Sequence, residues 1–294
     1  MKKGIMSKIE SAVKKAIGEG CEIEFRKVLK NNAKVLQAIV VREPDGKTCP
    51  VIYIDELLEK IENGSMDEEE AAIKIFDLYR NADTGGFGDI SKILDRENIL
   101  KKVVYQIINT ERNRERLKDI PHRDLLNLSA IYKIIINEDD ESQASITLDY
   151  ELCNAYGINT SELDAAARQN TKEGGFFALP MAEMMAKIMG IPCPVIKDEM
   201  PAMFVLTNKS GNEGASVMLY KEYFAEVASK LKSDLYVLPS SIHEVIAVPT
   251  EGYEPWSLTK MVGEINDKEV AEEEVLGDSI YRYSLMTGNL SIER

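Results

Sequence analysis

Apolar positions along this chain switch between a period near 3.6 and a period of two, and the switches mark out its elements. Ile5, Ile9, Val13 and Ile17 recur at helical spacing, with Gly18 and Gly20 placed to end the helix. Val35 to Val41 reads as a strand, Pro44-Asp45-Gly46 as a turn, and Val51 to Ile54 as the returning strand. Asp55 is placed to cap a helix carrying Leu58 and Ile61. Ser65 and Asp67, each three residues ahead of a glutamate, propose the start of another helix with Ile73, Phe76 and Tyr79 inward.

The same order recurs. From Leu126 to Ile136 the even positions are Leu, Leu, Ala, Tyr, Ile and Ile, a half-buried strand. The acidic turn Asn137 to Glu141 leads to Ile146-Thr147-Leu148. Asp149 is placed to cap a helix that Gly157 ends, and Ser161 with Asp164 starts the next. Ile52-x-Ile54-Asp55-x-x-Leu58 matches Ile146-x-Leu148-Asp149-x-x-Leu152, which fits either a duplication or convergence on capping chemistry. A third unit is expected from Met203 to Leu206, a turn at Ser210 to Gly214, then Val217 to Leu219 and a helix through Phe224, Val227 and Leu231. A fourth is strand 235–238, Pro239-Ser240-Ser241, strand 242–248 and a helix with Leu258, Met261, Val262 and Ile265. Ile280 to Leu285 and the Gly288-Asn289 hairpin signal close the chain.

Repeated strand–turn–strand–helix units predict an α+β fold, with mainly antiparallel sheets and helices packed on them. Gly85-Gly86-Phe87-Gly88 is the best linker candidate, and Thr171 to Pro201 a second. The expected division is an N-terminal hairpin–helix region over 1–81, a linker and helical, basic connector over 82–124, and an α+β region over 125–294, which together could form one domain.

Composition narrows the chemistry. The 294 residues carry a net charge of −14, a field that repels phosphate backbones and argues against nucleic acid as a partner. No apolar run approaches the roughly 18 residues that span a bilayer. Cys21, Cys49, Cys153 and Cys193 lie far apart and none forms a CxxC, so no metal site and no disulfide framework is expected. Free thiols fit a reducing cytoplasm. The Gly85–Gly88 cluster follows a helix, lacks GxGxxG and GKS/T, and reads as a connector, so no cofactor is expected.

Four places invite a functional reading. Arg112, Arg114, Arg116, Lys118 and Arg123 form the most basic segment and an anion-site candidate, although Glu111, Glu115 and Asp119 balance them as on a solvated helix. His122, after Ile120-Pro121, reads as a turn hydrogen-bonder. In Leu235 to Pro249, a strand from Ile242 to Val248 puts His243 on the accessible face beside Ser241 and Glu244 on the opposite one. That leaves a serine–histidine nucleophile open, against a turn whose serine hydroxyls bond nearby amides. The candidate binding set is therefore Ser240, Ser241, His243, His122 and Arg123. Trp256, after Glu254-Pro255, reads as a packing residue.

Asp234 to Pro249, DLYVLPSSIHEVIAVP, resembles the signature of a family of bacterial proteins of unknown function. Glu111 to Ser129, Leu206 to Tyr220, Glu273 to Ser284, Asn31-Asn32 and Val51 to Gly64 are similar to the same family. Gly174-Gly175-Phe176-Phe177 and the methionine-rich run Met181 to Met189 depart from it. The resemblance implies no activity, substrate or cofactor and carries over no catalytic residue. The reading favours a binding protein, with a protein or small molecule as partner; a hydrolase using Ser241 and His243 is the alternative, and an anion or nucleic-acid binder at Arg112–Arg123 the second.

Overall fold

The computed structural model describes residues 2–17, 20–42, 51–81, 95–138, 143–192, 203–239 and 241–293. Its contacts divide the chain into two compact units. The first comprises 1–30 and 34–94, the second 31–33 and 95–294.

The first unit opens with helix α1 (Lys2–Ile17), followed by strands β1 (Glu22–Leu29), β2 (Val35–Arg42) and β3 (Val51–Tyr53) and helices α2 (Asp55–Glu62) and α3 (Glu68–Asn81). The strands form one antiparallel sheet in the order β1-β2-β3. Ile9 and Val13 of α1, Ile39 and Val41 of β2, Ile52, Ile54, Leu58 and Ile75 share one apolar core. The turn residues Pro44-Asp45-Gly46 lie outside the described residues, but the hairpin they imply is present, with Ile39 opposite Ile52. Asp67 starts α3 with a reciprocal cap, its carboxylate accepting the Glu70 N–H and the Glu70 side chain accepting its own. Ile73, expected inside, is 59% exposed, because the buried stripe of α3 runs through Ala71, Ala72 and Ile75 instead.

The second unit carries α4 (Arg96–Lys102), β4 (Val103–Asn109), β5 (His122–Leu125), β6 (Leu128–Glu138) and β7 (Gln143–Thr147), then α5 (Tyr150–Ala155) and α6 (Thr160–Glu173). Strand β6 is long enough to pair β4 along one edge and both β5 and β7 along the other, all antiparallel. The stretch from 95 to 124, read as a connector, therefore holds a helix and a strand in this unit. Thr110 to Lys118 is turn and 3₁₀ structure, not the solvated helix expected there. The linker candidate Gly85–Gly88 lies outside the described residues. Asp149 caps α5 through the Leu152 N–H, whereas Asp55 accepts from Gln37 of β2, so the matched sequence pattern does two different jobs. Helix α6 starts at an Asn159–Glu162 capping box, two residues earlier than Ser161 and Asp164 suggest.

A second sheet in this unit runs β8 (Phe176–Pro180), α7 (Met181–Met189), β9 (Phe204–Asn208), α8 (Lys221–Leu231), β10 (Leu235–Leu238), β11 (Val245–Pro249), α9 (Pro255–Glu269), β12 (Tyr281–Tyr283) and β13 (Leu290–Ile292) along the chain. Its strand order is β13-β12-β10-β11-β9-β8, antiparallel throughout. The fold is α+β, as the repeating pattern predicts. Three expectations fail locally. Val217 to Leu219 is not a strand but the end of a buried 3₁₀ turn over Gly214–Leu219, so β9 pairs with β8 and β11 and makes no hairpin of its own. Phe176 to Pro180, inside the second linker candidate, is a sheet strand. Trp256 is 70% exposed at the first turn of α9, so it is not a core residue. Among the described residues no helix is long and apolar enough to cross a membrane.

Candidate functional site

Strand β11 begins at Val245, three residues later than the periodicity suggests, because the chain from Ser241 to Glu244 is engaged in a side-chain-capped turn. The Ser241 hydroxyl accepts the backbone N–H of His243 (3.0 Å) and donates to Glu244 Oε1 (3.0 Å). Serine in this role replaces a backbone turn bond with a local side-chain one. The alternating-face argument therefore fails at these residues: His243 and Glu244 are both partly exposed, and Glu244 is paired with a serine hydroxyl. Ser241 itself is buried, 6% exposed, and Ser240 lies outside the described residues.

The imidazole of His243 reaches two other segments. Its Nδ1 accepts the Glu213 backbone N–H at 3.2 Å, which puts the ring proton on Nε2, 3.4 Å from Glu274 Oε1. The ring lone pair is thus occupied, and the Ser241 proton is directed at Glu244. A serine nucleophile needs the reverse, a hydroxyl donating to a free imidazole nitrogen.

Glu213 is the residue that organises the surroundings. Its backbone is left-handed (φ 56°), its side chain is buried, and its carboxylate forms an ion pair with Lys133 from the middle of β6. Arg116, whose pKa burial pushes down while Glu213 opposes the shift, donates to Thr147 Oγ1 nearby at 3.1 Å. Gly214 follows because nothing larger fits: a Cβ there would run into Thr207 Oγ1, the His243 carbonyl and the Asn208 backbone nitrogen. Thr207 Oγ1 in turn donates to the His243 carbonyl at 2.7 Å.

Glu274 is held by its own backbone, since its carbonyl accepts the Ile242 N–H at 2.9 Å. The flanking carbonyls are clasped by two asparagines: Asn31 Nδ2 donates to Glu273, and Asn32 Nδ2 to Glu272 and Val275, each at 2.7 Å. Asn32 adopts φ 57°, a conformation asparagine tolerates better than most residues, and its N–H donates to Asn113 Oδ1.

Together Gly211, Asn212, Ser241, His243, Glu244, Glu269 and Glu274 line a broad, open basin of about 550 Å³. Gly211 and Glu244 also border a second hollow of about 690 Å³, with Phe177, Met181, Met184, Ile188, Val205 and Ile246 in its wall. The methionine-rich run thus forms helix α7 beside an apolar groove. Met185, Ile188 and Met189 are exposed on that helix.

His122 and Arg123 belong elsewhere. His122 Nδ1 donates to the Ile120 carbonyl at 3.0 Å, the turn bond the Ile-Pro-His sequence suggests, and His122 is not part of the basin wall. Arg123 pairs with Asp164, whose other oxygen accepts the hydroxyls of Tyr105 (2.6 Å) and Tyr132 (3.0 Å). Burial, together with Asp164, pushes both tyrosine pKa values far up, so this cluster serves as a tie between β4, β6 and α6. The basic segment is similarly engaged: Arg112 with Asp278, Arg114 with Glu111 and Lys118 with Glu115. Lys133, Glu213, Gly214 and Glu274 escaped sequence reasoning. Lys133 offered a signal, a cation within an apolar strand; Glu274, one glutamate in an acidic run, offered none.

Residues 3–285 match the model of a family described as Family of unknown function (DUF5688), and the chain belongs to that family. No curated protein and no solved structure matches the chain.

Proposed function

We propose that this chain is a non-catalytic binding protein and that the basin at the β10–β11 turn is its binding surface. The observation that carries the reading is the hydrogen-bond state of the turn. The hydroxyl proton of Ser241 goes to Glu244 and the ring of His243 to Glu213 and Glu274, so the two groups that would perform hydrolysis do not meet. What the basin offers a ligand is the carboxylates of Glu244, Glu269 and Glu274, which suit a cationic group. The adjoining groove suits apolar side chains, so a polypeptide segment carrying both is the ligand class the surface fits best. We place the protein in the cytoplasm, where the buried thiol of Cys153 would stay reduced.

A short blocked peptide of alternating arginine and leucine is the probe. Titrated into the ¹⁵N-labelled chain, it should shift the amides of Gly211 to Gly214, Ile242 to Val245 and Glu274, and Glu274→Gln with Glu269→Gln should weaken binding at least tenfold. Unmoved amides at these positions would overturn the reading. Turnover of p-nitrophenyl acetate that Ser241→Ala abolishes would replace it with the hydrolase reading.

A further inference from the structure

Among the described residues, strand β1 ends the three-stranded sheet of the first unit, with β2 on one side only. Which backbone groups it leaves facing outward follows from β2. The Gln37 N–H donates to Asp55 Oδ2 and its carbonyl accepts the Ile54 N–H, both at 2.9 Å, so Gln37 turns its backbone toward β3. Direction alternates along a strand, so Leu36, Ala38, Val40 and Arg42 turn toward β1, where they pair with Val28, Arg26, Glu24 and Glu22. Ile23, Phe25, Lys27 and Leu29 therefore aim their N–H and C=O groups away from the sheet.

An edge of this kind is a template for strand addition, and charge is the usual protection. Here the charge is arranged differently. The sequence EIEFRKVL has its acids, Glu22 and Glu24, in one half and its bases, Arg26 and Lys27, in the other. Such a strand is complementary to itself when reversed. An antiparallel ladder must set outward-facing residues opposite outward-facing ones, which admits only registers in even steps. With Phe25 opposite Phe25, Glu24 of each copy lies opposite Arg26 of the other, and Ile23 opposite Lys27. Slipping by one such step in either direction sets Glu24 opposite Glu24 or Arg26 opposite Arg26. Opposed charges on directly facing residues stabilise a pair, and like charges destabilise it.

We propose that this chain forms a two-fold symmetric dimer through antiparallel β1–β1 pairing centred on Phe25, the register that faces Glu24 with Arg26 and sets no like charges opposite each other. The two sheets become one of six strands. The outward-facing pairs Ile23–Lys27, Phe25–Phe25 and Lys27–Ile23 exchange about six backbone hydrogen bonds, two at each. Glu24 already accepts from Arg26 Nε at 2.7 Å within one strand, and pairing exchanges or shares that partner across the two-fold axis. The occupant of the edge is a second copy because the complementarity is internal to the strand. The proposal is independent of the basin on the second unit.

Sedimentation equilibrium on the full chain tests it. The expected mass is twice 33.0 kDa, falling to the monomer value for Glu24→Arg and returning to the dimer value for Glu24→Arg with Arg26→Glu. Lys27→Pro gives the second arm. The Lys27 N–H faces outward and its side chain is exposed, so proline removes an intermolecular bond and leaves the β1–β2 ladder whole. With an unchanged circular dichroism spectrum, that variant should also be monomeric. A monomeric wild type, or a dimer that persists in either Glu24→Arg or Lys27→Pro, overturns the proposal.

Discussion

The two units bury different chemistry. In the first, Ile9, Val13, Ile39, Val41, Ile52, Ile54 and Ile75 close the core with aliphatic groups. In the second, a comparable apolar framework is threaded by buried Gln106, Asn109, Asn113, Thr171, Thr207, Glu213, Ser216, Ser241 and Asn266, together with Asn31 and Asn32. Every buried polar or charged side chain among the described residues belongs to the second unit. An apolar core tolerates substitution in proportion to the volume removed. A buried polar network depends on each member having its partner, so removing one group leaves another desolvated and unsatisfied. The turn that carries His243 sits in the second kind of core, and its geometry is therefore set by residues distant in sequence.

The comparison breaks first at Lys133. Its side chain is 13% exposed and that of Glu213 10%. Lys133→Ala strands the carboxylate, and urea unfolding should show a loss of about 3–5 kcal/mol. Lys133→Met with Glu213→Gln removes the charge on both sides and should recover most of it. A single variant as stable as wild type would mean that Arg116 alone satisfies Glu213.

In the first unit the matching probe is Ile9→Ala. No polar group is stranded, and the cost is that of lost contacts and a cavity, about 2–4 kcal/mol. If the units unfold in separate steps, Ile9→Ala should lower one urea midpoint and Lys133→Ala the other. Both variants moving the same single transition would show that the two cores melt as one.

This difference also sets what could be read from the sequence. The aliphatic period of α1 and the runs of β2, β3, β6 and β10 appear where apolar spacing places them, because burial of one face is a local property of the pattern. Ile73 is misplaced because Ala71 and Ala72 are poor signals of burial, although the helix turns them inward. The 3₁₀ turn from Gly214 reads as part of a hairpin for a different reason. Val217 and Met218 are buried there as a strand would bury them, but Gly214 is needed for close approach to Thr207 and His243. The turn at Pro239 to Ser241 is legible in the sequence, but its continuation to Glu244 reads as the start of a strand. Which oxygen Ser241 bonds, and which nitrogen of His243 is occupied, depended on Glu213 and Glu274, and no local pattern encodes those contacts.

The smallest expected effect separates a buried tie of the second unit from one on its surface. Asp234 precedes β10 and accepts the Leu285 backbone N–H at 2.9 Å, and Arg282 donates to its other oxygen at 2.9 Å. The Leu285 N–H and the Arg282 guanidinium hold its pKa below the ordinary aspartate value of 3.8, against an opposing effect of burial. Because the folded value is the lower one, the stabilisation is fully present above 3.8. It is lost as pH falls through the folded value, where the native carboxylate takes up the proton the unfolded chain already holds. The side chains of Asp234 and Arg282 are 23% and 46% exposed, so solvent screening limits the gain to about 1 kcal/mol or less. Asp234→Asn should therefore lower the urea midpoint slightly at about pH 6, and the gap from wild type should narrow as pH is brought down towards about pH 3. A gap that stays constant with pH would assign the effect to the lost hydrogen bond and not to charge.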